Sequence, residues 1–256
     1  MIVPSLGGAM RRAIVLVMSG LLALAPVTSA AAASAFANWA AIVVAGDYHA
    51  HDGEPTEAFD NARRDVTRDL VRIGFRPANI REFSVRPDRY PSAALDLSEP
   101  QTIADGLWDV TDHATGGCLV YFSTHGSPDG IVVGEVMLSP RQLDAIVGNA
   151  CGTRPTVVVL SACYSGVFVP AMKAPNRFIM TAARADRSSF GCGTDNKYPY
   201  FDDCFLRAMP ASHGFPDLAD RTRICVAGLE RETGMAPPSD PQIFMGTDAA
   251  HELPGW

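Results

Sequence analysis

Two hydrophobic patterns alternate along this chain. Short continuous apolar runs recur, and between them apolar residues return every three or four positions. Trp39–Ala45 (WAAIVVA) is the first run and stops at Gly46-Asp47, as a strand buried on both faces does. Phe59, Ala62, Val66, Leu70 and Ile73 then follow at helical spacing, and Gly74 stands where a helix C-terminus wants glycine. Ile80–Val85 reads as a second strand. Pro100 opens a helix carrying Ile103, Leu107 and Val110, which Gly116-Gly117 stops. Cys118–Phe122 is a third strand, and Ser139-Pro140 reads as the cap and first residue of a helix with Leu143, Ile146 and Val147 on one face. Thr156–Leu160 and Arg177–Ala183 are further strands. Helices near Phe201–Met209 and Asp217–Glu232 follow, and Gln242–Met245 is a last strand candidate.

Strands alternating with helices predict an α/β domain of three layers around a mainly parallel sheet. In such sheets, sites form beyond the C-terminal ends of the strands. The third and fourth strands run into STHGSPDG and SACYSG, so topology alone puts both loops on one sheet edge. Asp129-Gly130 predicts a tight turn into a hairpin beside them.

The N-terminus follows a different pattern. Arg11-Arg12 precedes an apolar stretch, Ala13–Ala25, and Ala-rich sequence offers A-x-A sites ending at Ala33 or Ala35. This is the pattern of a secretory signal peptide over residues 1–33, too short for a spanning helix, so no stable membrane span is expected after cleavage. The expected location is periplasmic or secreted, with residues 34–256 as a single domain. About ten residues follow the last strand candidate, so no separate C-terminal prodomain is expected.

The whole chain carries 21 basic and 28 acidic residues. Without Arg11 and Arg12 the balance is −9, with no basic stripe, which disfavours a nucleic-acid partner or an anionic membrane surface. Six cysteines lie at 118, 151, 163, 192, 204 and 225, with no C-x-x-C pair and no zinc-ligand spacing. An exported chain permits disulfides. If one thiol stays free the remaining five cannot all pair, and spacing does not assign the connectivity. Cys118, within a strand pattern, reads as core.

The fourth strand ends by presenting Cys163 on a turn of small residues. A thiolate nucleophile needs a base to deprotonate it and donors for the oxyanion it creates. His125, at the end of the third strand, is the base candidate. The backbone N–H groups of Gly126 and Cys163 are the oxyanion candidates. The other five histidines, at 49, 51, 113, 213 and 251, have no such partner loop and read as surface or structural.

At these residues the chain resembles the legumain-like peptidases, the C13 family within the caspase-like clan. That family runs an apolar strand into His-Gly and another into Ala-Cys-x-Ser-Gly. Here these are VYFSTHGSPDGIVV and VVVLSACYSG, with Cys163 following His125 by 38 residues. TAARADRSSFGC (181–192) resembles the family's next strand end, including Ser188. YPYFDDCF (198–205) resembles the segment carrying an S1 aspartate, matching Asp203. The resemblance spans roughly residues 39–246, with WAAIVVAGD and SDPQIFMG at its ends. It implies a caspase-like α/β/α sandwich, a peptide or protein substrate, acyl transfer through a thioester on Cys163 with His125, Gly126 as oxyanion donor, and no metal or organic cofactor. A transpeptidase of the same family and a silent binding domain of the same fold are the alternatives.

Specificity departs from the family. Ser161 stands two residues before the nucleophile, where legumains have glutamate of the S1 pocket. The loop after the first strand holds Asp47, Asp52, Glu54, Glu57 and Asp60 but no Arg or Lys, where the family carries an S1 arginine. A neutral or acidic S1 pocket near Asp203 and Asp60 is therefore expected, favouring small polar or basic P1 residues. Asn61 is a candidate to orient His125. Arg184 and Arg187 are read as ion-pair partners of Asp186.

Overall fold

The computed structural model describes residues 1–4 and 34–256. Nearly all of the proposed signal peptide lies outside the described residues. Residues 34–256 fold as one compact body. In chain order its elements are β1 (Trp39–Ala45), α1 (Ala58–Arg72), β2 (Ile80–Ser84), β3 (Leu95–Leu97), α2 (Pro100–His113), β4 (Gly117–Ser123), β5 (Gly126–Ser127), β6 (Gly130–Val133), β7 (Val136–Leu138), α3 (Pro140–Cys151), β8 (Thr156–Ser161), α4 (Val169–Met172), β9 (Arg177–Thr181), α5 (Tyr200–Ala208), α6 (Phe215–Thr233), β10 (Gln242–Met245) and α7 (Ala249–Glu252).

Seven strands form one sheet in the order β10-β9-β8-β4-β1-β2-β3, parallel except for β10. The central strands are buried on both faces, which is why their sequences are unbroken apolar runs. Side chains still alternate between faces. Trp39, Ala41 and Val43 of β1 pack with α1, α5 and α6; Ala40, Ile42 and Val44 pack with α2, α3 and α4. The result is the expected three-layer α/β/α sandwich.

Local signals act as the sequence predicts. Ser139 caps α3 and forms a capping box with Gln142, and Gly74 closes the first helix with φ +109°. Two differences stand out. The edge strand β3, only three residues long, is too short to show a pattern. The hairpin after His125 is a three-stranded sheet, β5-β6-β7, in which Thr124 Oγ1 donates to the Val132 carbonyl at 2.7 Å.

Cys118 is not a plain core thiol. It is disulfide-bonded to Cys151 at the end of α3, and a second disulfide joins Cys204 to Cys225, tying α5 to α6. Cys163 and Cys192 are free.

Candidate active site

β4 and β8 are hydrogen-bonded neighbours whose last residues, Ser123 and Ser161, are register partners. Each strand runs two residues further, to His125 and to Cys163. Both side chains are half-buried and line one cleft of about 870 Å³, with Gly126 and Ser188. Four of the six expected site residues therefore share one cavity.

His125 is oriented from the loop after β1. Its Nε2 lies 2.9 Å from the backbone oxygen of His49, and Phe59 packs against the ring in a T-shaped arrangement at 5.1 Å between centroids. A carbonyl only accepts, so Nε2 carries the proton and the neutral ring keeps its lone pair on Nδ1. His49 is itself pinned by Asp47, whose Oδ1 accepts from the N–H groups of Tyr48 (2.6 Å) and His49 (3.0 Å) and from His49 Nδ1 (2.8 Å). Asn61 does not orient His125: its amide donates to the Lys197 carbonyl.

Cys163 sits at a tightly bonded turn. Tyr164 takes the left-handed conformation, φ 56°, uncommon for a non-glycine residue and typical of functional turns. Its N–H donates to the Arg187 carbonyl at 2.8 Å, and Ser165 Oγ donates to the Ala162 carbonyl at 2.7 Å. The Cys163 sulfur accepts from the Ser189 N–H at 3.2 Å and does not hydrogen-bond to His125.

Gly126 backs directly onto the nucleophile. A Cβ there would overlap the Cys163 carbonyl, so only glycine fits. The Val132 N–H donates to the His125 carbonyl, which makes Gly126 and Ile131 a non-hydrogen-bonded pair. The Gly126 N–H thus points away from β6 and is free for a ligand oxygen.

Three expectations about specificity are corrected. Asp203 does not line the cleft; it lies toward solvent on α5, 3.5 Å from Arg207. Asp60 is buried elsewhere, accepting from Arg63 Nε (3.0 Å) and Ser84 Oγ (3.1 Å). Ser161 is buried with its hydroxyl on Asp202, away from the cleft. Arg184 and Arg187 pair with Asp186, as expected, and stay out of the cavity.

The remaining walls were not expected from sequence. They include His49, His51, Ser189, Cys192, Asn196, Tyr200 and Met235. Burial pushes the Cys192 thiol up, and the nearby Cys163 adds to the shift. No lysine, arginine or carboxylate among the described residues lines this cavity. Among the described residues, no group of three His, Cys, Asp or Glu side chains is arranged to hold a metal ion.

Comparison with known proteins bears on the family and the fold. Residues 109–222, which include both loops and the start of α6, match the model of the Peptidase C13 family. Among solved structures, caspase-1 from Spodoptera frugiperda is similar with a TM-score of 0.58 at 14% identity, over 82% of this chain and 87% of its own. A structural-genomics protein from Geobacter sulfurreducens gives 0.56 at 12% identity, over 82% and 94%. At such identities the likeness shows the fold. No curated protein matches the chain.

Proposed function

Since the chain is a legumain-like peptidase of the C13 family with a caspase fold, and so of cysteine peptidase type, we propose that it is an exported cysteine endopeptidase working through a thioester on Cys163. The observation that carries this reading is the shared cleft: thiol, oriented imidazole and a free Gly126 N–H converge where neighbouring strands end.

His125 Nδ1 takes the thiol proton, directly or as substrate binding draws the two together. The sulfur attacks the scissile carbonyl carbon, and the oxyanion lies against the N–H groups of Gly126 and Cys163. Collapse breaks the C–N bond, with His125 returning the proton to the leaving amine. Water, deprotonated by the same ring, then releases the acid and restores the thiol. The His49 carbonyl accepts from Nε2–H throughout, so the ring keeps its orientation at each transfer.

Among the described residues, the cleft walls offer hydroxyl, amide and imidazole groups without a carboxylate or a fixed positive charge. We therefore narrow the neutral or acidic S1 expectation to a neutral pocket: small polar P1 residues are preferred over Asp, Glu, Lys and Arg. Support for export comes from the Arg11–Ala25 pattern and from the two disulfides, which persist in oxidising compartments.

The test is cleavage of a P1-diverse fluorogenic peptide library by the mature protein, beside Cys163→Ala. Activity abolished in the variant and highest for neutral polar P1 is expected. Equal turnover by the variant, or none by either protein, would overturn the peptidase reading. A charged P1 optimum would overturn the neutral pocket.

A further inference from the structure

Beneath the cleft lies a buried polar cluster that the chemistry above does not use. Asp202, in the first turn of α5, has no solvent exposure. Its Oδ2 accepts from Ser123 Oγ and from Ser161 Oγ, each at 2.8 Å, and its Oδ1 accepts from the Tyr121 hydroxyl. All three donors are buried. No basic side chain pairs with Asp202 among the described residues, unlike the buried Asp60, Asp65 and Asp69, which pair with Arg63, with Arg64 and Arg68, and with Arg68 and Arg72.

The position of the donors is informative. Ser123 and Ser161 are opposite one another in the register of β4 and β8, each two residues before a reacting side chain. Odd-numbered residues here face α5, so Leu119, Tyr121, Val157 and Val159 continue the same face as apolar core. Polarity appears only toward the strand ends, where the Tyr121 hydroxyl and, one layer on, Ser123 and Ser161 meet one acceptor. Hydrophobic residues of similar size would fill that layer at no less stability, so its polarity calls for another reason.

The same helix also carries a wall of the cleft. Tyr200 lines the cavity, and its N–H donates to the Phe190 carbonyl at 2.9 Å. Phe190 follows Ser189, whose N–H holds the Cys163 sulfur. One carboxylate is therefore bonded to both strand ends, and its helix is bonded to the loop against which the nucleophile rests.

We propose that Asp202 is a positioning residue: it fastens the paired ends of β4 and β8 to α5 and so fixes His125 and Cys163 relative to each other and to the cleft wall. Such polar networks specify one geometry when every member is satisfied, as here. A small displacement of reacting groups costs about a hundredfold in rate. The inference rests on the peptidase reading of His125 and Cys163.

The test compares mature Asp202→Ala, Asp202→Asn, Ser123→Ala and Ser161→Ala with the parent, with folding checked by circular dichroism. Using the best library peptide, Asp202→Ala is expected to lower kcat roughly tenfold to a hundredfold with KM within about twofold. Asp202→Asn is expected to recover most of that loss, because its amide oxygen still accepts from both serines while its NH2 donates to Tyr121. Each serine variant is expected to lose about threefold to tenfold, and these report if Asp202→Ala does not fold. Unchanged kcat in folded Asp202→Ala, or in both serine variants, would overturn the proposal. So would an asparagine variant as impaired as the alanine one. The pH profile of Cys163 alkylation by iodoacetamide is read in parallel and needs no turnover. A midpoint that rises in Asp202→Ala supports positioning, and one that stays overturns it, even if the parent cleaves no peptide and the peptidase reading has failed.

Discussion

The imidazole of His125 is held by the backbone of His49: Nε2 donates to that carbonyl across 2.9 Å, and no side chain takes this role. A backbone acceptor cannot be protonated away, and its position depends on the loop that carries it. That loop is fixed by Asp47, which binds His49 through both its N–H and its ring. Orientation of the base therefore traces back to a carboxylate two residues past the end of β1.

Asp47→Ala should release the His49 loop while leaving the sheet intact. The expected outcome is a kcat lower by about tenfold to a hundredfold, with the thermal transition moved by only a few degrees. Steady-state kinetics with a thermal melt checks it. A kcat equal to the parent's would show that the His49 carbonyl stays in place without Asp47.

Gly126→Ala tests the close approach of the hairpin to the nucleophile. Its Cβ would overlap the Cys163 carbonyl, so β5 must move outward and take the Gly126 N–H with it. Loss of one oxyanion donor costs about a hundredfold to a thousandfold in kcat. The variant should bind a peptide aldehyde, which forms the tetrahedral adduct, less tightly by a comparable factor. A neighbouring change, Ser127→Ala, removes a hydroxyl whose acceptor is the Met137 sulfur at 3.8 Å and should leave kcat within about twofold.

The disulfides should stabilise the domain without touching the chemistry. Cys118–Cys151 closes a separation of 33 residues and Cys204–Cys225 one of 21. Chain entropy makes each worth about 3 kcal/mol. Paired Cys→Ala replacements should lower the denaturant midpoint accordingly. Labelling of the denatured parent, before and after reduction, should count two free thiols and then six. Two free thiols at positions other than 163 and 192 would contradict the pairing.

How much of this was legible in the sequence follows from the length over which each signal repeats. β1, β4, β8 and β9 are apolar runs between glycines and polar turns, and their neighbours follow helical spacing, so the layers and the common edge of His125 and Cys163 could be read directly. The sequence motif points to Asp203 as a site residue, whereas Asp202 is the buried one. Successive residues on a helix point about 100° apart, so an offset of one exchanges the core for solvent. One local signal was available: Ser123 and Ser161 break an otherwise apolar odd-numbered face, which implies a polar partner in the packed helix. The role of the His49 carbonyl had no signal, because a backbone oxygen leaves no mark in composition. The pairing of Cys118 with Cys151 likewise depends on where α3 packs.

The pH dependence of stability isolates Asp202 from the other carboxylates. Burial pushes its pKa up to about 7, against the partly offsetting bonds from Tyr121, Ser161 and Ser123, with the neighbouring Asp203 charge adding to the rise. Tyr121 stays a neutral donor, since burial drives its own pKa upward. The folded state then holds a proton that the unfolded chain releases near its ordinary value of 3.8. Where the folded state binds the extra proton, stability falls as pH rises. Asp202's contribution is therefore fully present below about pH 4 and is lost progressively up to about pH 7. Asp65 and Asp217, whose pKa values are lowered, contribute with the opposite sign, so the parent's own slope mixes both. Subtracting the curve of Asp202→Asn removes the shared terms. The unfolding free energy of the variant should gain on the parent across pH 4–7, by on the order of a few kcal/mol, and run parallel above it. Parallel curves over the whole range would mean that Asp202 is ionised throughout, its three hydroxyl bonds outweighing its burial.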